Sequence, residues 1–98
     1  TWAGSLCHTI ESIMTSGAFG VYHCADAGAV SRYEQAREIC SVAGLSTDYI
    51  RPISLKDFRQ AARRPVFTAL DCGDLIVPNW RTSLNGFIEQ YFSQAQFQ

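Results

Sequence analysis

Ninety-eight residues, 47% of them apolar and 17% charged, make one small folded domain near the lower limit for a single core, not a disordered tail. A net charge of −1 gives nucleic acid and anionic membranes no electrostatic hold, and no apolar run is long enough to span a bilayer. No signal-peptide pattern is present, so a cytoplasmic setting is expected.

The chain starts at Thr1-Trp2 without Met and enters an amphipathic pattern at once, which reads as a cut inside a longer protein. Ala3, Leu6, Cys7, Ile10, Ile13 and Met14 repeat with helical period and stop at Gly17, predicting a helix with one buried stripe. Residues 20–24, Gly-Val-Tyr-His-Cys, read as a short strand whose apolar character suits parallel pairing with cover on both faces. After a loop over 25–30, Ser31 and Glu34 form a capping box. The helix they open carries Tyr33, Ala36, Ile39, Cys40 and Ala43 on one face, with Gly44 as its left-handed cap.

Tyr49 to Ile53 read as a second strand, which Pro52 keeps short or at an edge. Ser54 and Asp57 are placed to cap one helical turn ending at Phe58. Residues 59–65 form an exposed loop, and 66–70 are extended. Asn79 opens a last helix with Trp80, Leu84, Phe87, Ile88, Tyr91 and Phe92 on one bulky stripe. The predicted class is α/β: a single domain, 1–98, with about three helices and short, mostly parallel strands. Two strands and three helices leave much apolar surface uncovered in so short a chain, so another domain is expected beside it.

The chemistry-bearing residues are few. Cys7, Cys24, Cys40 and Cys72 include no C-x-x-C pair, and His23 and Cys24 would point to opposite faces of a strand, so no metal site is expected. The four thiols read as buried and reduced. The loop ADAGAV holds Gly28 alone where a dinucleotide turn needs G-x-G-x-x-G, so no cofactor site is expected. Tyr33-x-x-x-Arg37 lacks the lysine of a reductase Tyr-x-x-x-Lys, and Tyr33 shares a face with Ala36 and Ile39, which reads as packing. His8 and His23 have no relay partner placed by spacing. Arg63-Arg64-Pro65 is the remaining constellation: two adjacent guanidiniums suited to forked hydrogen bonds with phosphate, or two solvated loop charges.

In this order the residues resemble a family. Gly20-Val21-Tyr22-His23, Gly28, Ser31-x-Tyr33-Glu34-x-Ala36-x-Glu38-Ile39, Arg51-Pro52-Ile53, Arg64-Pro65 leading to Leu70-Asp71, and Pro78-x-Trp80 together resemble the C-terminal half of dTDP-4-dehydrorhamnose reductases. Those enzymes are extended short-chain dehydrogenases. Two departures stand out: Arg32 where the family usually carries tryptophan, and a connection from Cys72-Gly73-Asp74 to Pro78 several residues shorter than usual.

The resemblance implies a small C-terminal substrate-binding domain that lacks the Rossmann domain. The missing N-terminal part would bind NADPH or NADH and carry the catalytic residues. This fragment would bind no cofactor and be inactive alone. Its expected partners are that domain and a nucleotide-sugar, with Arg64 the foremost contact, Arg63 behind it and Pro65 stiffening the loop. Two other roles fit the same residues: a non-catalytic regulatory subunit of the family, and a free-standing interaction module whose aromatic helix docks on a partner. Self-association through uncovered apolar surface fits each of the three.

Overall fold

Three helices form, the second and third opened by capping side chains and the first closed by the left-handed Gly17. In the computed structural model, which describes residues 1–92, α1 spans Ala3–Ser16, α2 Arg32–Ala43 and α3 Trp80–Tyr91, with a 3-10 turn at Leu55–Asp57. The Ser31 hydroxyl accepts the Glu34 N–H at 3.1 Å and opens α2. At the other end Gly44 sits at φ 74°, the Leu45 N–H reaches Cys40 O at 2.8 Å, and the Gly44 N–H reaches Ser41 O at 3.3 Å. These are the two bonds of a Schellman closure. Asn79 Oδ1 accepts the Arg81 N–H at 3.0 Å and opens α3. In the 3-10 turn the Ser54 hydroxyl takes the N–H of Lys56 at 3.4 Å. Because the cap at Ser31 is a single local bond on an exposed helix, Ser31→Ala is expected to lower the unfolding free energy by about 1 kcal/mol, measured from urea midpoints.

α3 is the hub. Ile88 is 7% exposed, and Ser83 on the same helix is buried too. The Ser83 hydroxyl lies 2.8 Å from that of Ser5 and ties α3 to α1. The Trp2 indole stands edge-on to Phe87 with centroids 6.2 Å apart, and Phe87 meets Tyr91 and Phe92 at 5.0 and 5.6 Å. Gly4 makes room for that indole, since a Cβ there would stand 2.7 Å from the ring, whereas one on Gly86 would meet it at an ordinary contact distance of 3.5 Å. α2 packs on the other side of α3, where Arg81 reaches Glu38 at 3.4 Å.

The predicted stripe of α1 is covered only in part. Leu6 and Ile13 are half-buried, but Ile10 and Met14 stay exposed, Met14 at 76%. The thiols also depart from expectation: Cys7 is exposed and Cys24, Cys40 and Cys72 are half-buried, so none is a core residue. Segments 20–24 and 49–53 form no strand ladder among the described residues, whose one β-pairing is an isolated parallel bridge between Ala27 and Asn79. A strand is defined by its partner, and these segments meet none here. Their side chains are correspondingly bare, with Val21 at 92% and Tyr49 at 93% exposure.

The overall dimensions agree with incomplete cover. The Cα radius of gyration is 16.3 Å, where a compact chain of this length has about 13 Å. The accessible surface is 8233 Å², where a compact monomer of this size exposes roughly 5,600 Å². The chain is less compact than an average domain of its length, and many large apolar side chains, Phe19, Val66 and Ile76 among them, lie exposed. No described helix is long and apolar enough to cross a membrane.

Candidate functional site

A groove of about 720 Å³ runs between loop 25–30, segment 66–77 and the start of α3. Backbone bonds build its floor. The Ala27 N–H donates to Pro78 O at 2.8 Å, and the Trp80 N–H donates to Ala27 O at 2.9 Å, which holds the loop flat on the N-terminus of α3. Gly28 is needed at this crossing. Its φ is 95°, and a Cβ there would stand 2.8 Å from the Trp80 ring.

The far wall is clamped through sulfur. The Ala25 N–H donates to Cys72 Sγ at 3.2 Å, and the Cys72 thiol lies 3.4 Å from Ala25 O as its donor. Asp71 Oδ1 accepts the Gly73 N–H at 2.9 Å and tightens the turn beyond. Thr1 closes the near end, its hydroxyl accepting the Asp26 N–H at 3.0 Å. Beneath lies a smaller cavity of about 350 Å³ toward Trp2 and Phe87, and Thr1, Asp26, Gln35 and Trp80 line both spaces.

Arg63, Arg64 and Pro65 lie exposed in the loop immediately before the groove wall that begins at Val66. None of the three lines the groove itself. Tyr33, read as packing, is half-buried at the surface of α2; the Arg37 guanidinium donates to its hydroxyl at 3.2 Å and lies 5.6 Å from its ring centroid. That pairing spends the tyrosine on its own helix and points to no chemistry. His8 and His23 are both exposed.

Three groove residues escape a reading of the sequence for site residues: Asp26, Trp80 and Thr1. Asp26 stands out, because its Oδ2 is buried without a hydrogen-bond partner among the described residues. A lone carboxyl in a Gly/Ala-rich loop, just after an apolar run, is the one sequence signal that marks it.

The chain matches the RmlD substrate binding domain over residues 1–93. It is similar to a dTDP-4-dehydrorhamnose reductase of Mycobacterium tuberculosis (strain ATCC 25618 / H37Rv), 30% identical over 91 residues, covering 86% of this chain and 30% of that protein. A dTDP-4-dehydrorhamnose reductase of Mycolicibacterium smegmatis is 30% identical over 91 residues, covering 86% of this chain and 28% of the relative. A dTDP-4-keto-6-deoxy-D-glucose reductase of Streptomyces niveus is 28% identical over 90 residues, covering 86% and 31%. The chain thus spans less than a third of the length of each of these relatives. No solved structure matches it.

Proposed function

Since the chain belongs to the RmlD substrate binding domain family, we propose that it is the nucleotide-sugar-binding part of an NAD(P)H-dependent dTDP-4-dehydrorhamnose reductase. The observation that supports this reading is the groove of loop 25–30 and segment 66–77, in a chain matched to the family along nearly its whole length, with Arg63 and Arg64 just before Val66 in sequence. The groove takes the ligand, and Arg64, backed by Arg63, meets the diphosphate by forked, charge-assisted hydrogen bonds. Pro65 limits the freedom of the loop that carries them.

Loop 25–30 does not fit the pyrophosphate of a nicotinamide dinucleotide. The single glycine of loop 25–30 has its open side filled by Trp80 and Asn79, so a pyrophosphate has no approach to the backbone there. In this reading the cofactor and the proton donor belong to a nucleotide-binding domain outside the chain, in a cytoplasmic enzyme. The same domain supplies the partner strands that segments 20–24 and 49–53 lack, and together they complete an α/β fold. Their exposed apolar side chains and unladdered backbone support that arrangement.

Titration of the chain with dTDP-L-rhamnose and with dTDP tests the reading. Arg64→Ala is expected to weaken both ligands about tenfold or more, since its guanidinium holds the phosphates that the two ligands share. Equal affinity of variant and wild type for both would remove Arg64 from the site.

A further inference from the structure

Resting on the nucleotide-sugar reading, we infer that the corner of the groove between Asp26 and Trp80 receives the uncharged hexose of the ligand and not its diphosphate. Charge separates the two. Among the described residues that line the groove there is no Lys, Arg or His, whereas Asp26 and Asp71 both line it. A diphosphate seated there would face two carboxyl groups with no cationic side chain lining the groove to offset them. The guanidiniums lie outside, on the loop before Val66.

Among the described residues that line the groove, Asp26 also has a buried side-chain oxygen with unmet hydrogen-bonding capacity. Its backbone N–H is taken by Thr1, but its Oδ2 is buried with no partner among the described residues. Asp71, by contrast, already holds the Gly73 N–H. A carboxylate with one oxygen buried without a donor is short of hydrogen bonds, and where Asp26 lines the groove a ligand O–H adds one to the same charged group. Around it stand the Thr1 hydroxyl, the Gln35 amide and the Trp80 indole, each lining both the groove and the cavity beneath. An acceptor, an amide and a hydroxyl beside a flat apolar ring match a pyranose, which offers hydroxyls at its edge and C–H groups on its face.

Isothermal titration of the full chain with dTDP-L-rhamnose and, separately, with dTDP tests this, using Asp26→Asn and Asp26→Ser with helix content checked by circular dichroism. Both variants are expected to weaken dTDP-L-rhamnose about tenfold and to leave dTDP within about twofold, the loss of one hydrogen bond to a charged acceptor. Arg37→Ala, on the exposed side of α2, is expected to change neither. Equal weakening of both ligands would put Asp26 against the nucleotide and overturn the inference, as would unchanged affinity for dTDP-L-rhamnose in both variants. A wild-type chain that binds neither ligand would overturn the nucleotide-sugar reading itself, and the hexose subsite with it.

Discussion

Trp2→Ala is expected to lower the unfolding free energy by about 3 kcal/mol, the low end for removing a large aromatic from a packed site, because Trp2 is half-buried and not fully enclosed. The indole is the main apolar bridge between α1 and α3. It stands edge-on to Phe87 at 6.2 Å and lies over the bare backbone of Gly4 and Gly86. Both glycines leave unfilled space once the ring is gone, and the loss of the aromatic pairing adds about 1 kcal/mol of its own. A domain of this size holds roughly 5–15 kcal/mol in total, so the effect is a large share of it. What remains to dock α1 is the hydrogen bond between the Ser5 and Ser83 hydroxyls and the partial cover of Leu6, Thr9 and Ile13. Urea unfolding followed by far-ultraviolet circular dichroism measures the effect, with Met14→Ala, 76% exposed, as the comparison expected to stay within about 0.5 kcal/mol. A change below about 1 kcal/mol for Trp2→Ala would mean that α1 is held by something other than this ring.

What is legible in the sequence is what local chemistry decides. Ser31, Gly44 and Asn79 each satisfy backbone groups within a few residues of themselves, and all three helix ends fall where those residues predict. Ser54 likewise opens the short turn expected of it, though it bonds Lys56. The family resemblance is legible for a related reason: its motifs are short strings in a set order, and the match over residues 1–93 bears it out. The groove is not legible, because it arises from contacts between residues far apart in the chain. Ala25 meets Cys72, and Ala27 meets Pro78 and Trp80, pairings that no periodicity announces. Trp80 reads as one more member of an apolar stripe, yet its ring also lies under Gly28, with Arg81 4.9 Å from its centroid. The stripe of α1 shows a related limit. Helical period identifies an apolar face but not the element that covers it, and the described residues leave Ile10 44% and Met14 76% exposed. Trp2 shows it from the other side: its position next to the chain start gives no hint of a packing role.

Gly28→Val is expected to lose about 3 kcal/mol or more of stability and to weaken dTDP-L-rhamnose binding over tenfold, because the two losses share one cause. At φ 95° the backbone is in a region that a β-branched residue enters only at a cost of about 1–2 kcal/mol. The new Cβ then stands 2.8 Å from the Trp80 ring and 3.2 Å from the Asn79 side-chain amide, so the ring or the loop must move. Moving the loop breaks the bonds from Ala27 N–H to Pro78 O and from Trp80 N–H to Ala27 O, which hold it on α3. Moving Trp80 removes the wall shared by the groove and the cavity beneath it. Moving Asn79 endangers the cap on the Arg81 N–H and frays the first turn of α3. Each escape displaces Asp26 or the surface facing it. The expected signature is therefore a combined loss of stability and of affinity for dTDP-L-rhamnose, with dTDP affected less in the chains that remain folded. A Gly28→Val chain that keeps its urea midpoint and its affinity for dTDP-L-rhamnose would mean that loop 25–30 is free to lift from Trp80, and a groove whose floor lifts that freely would not hold Asp26 in place to select a hexose.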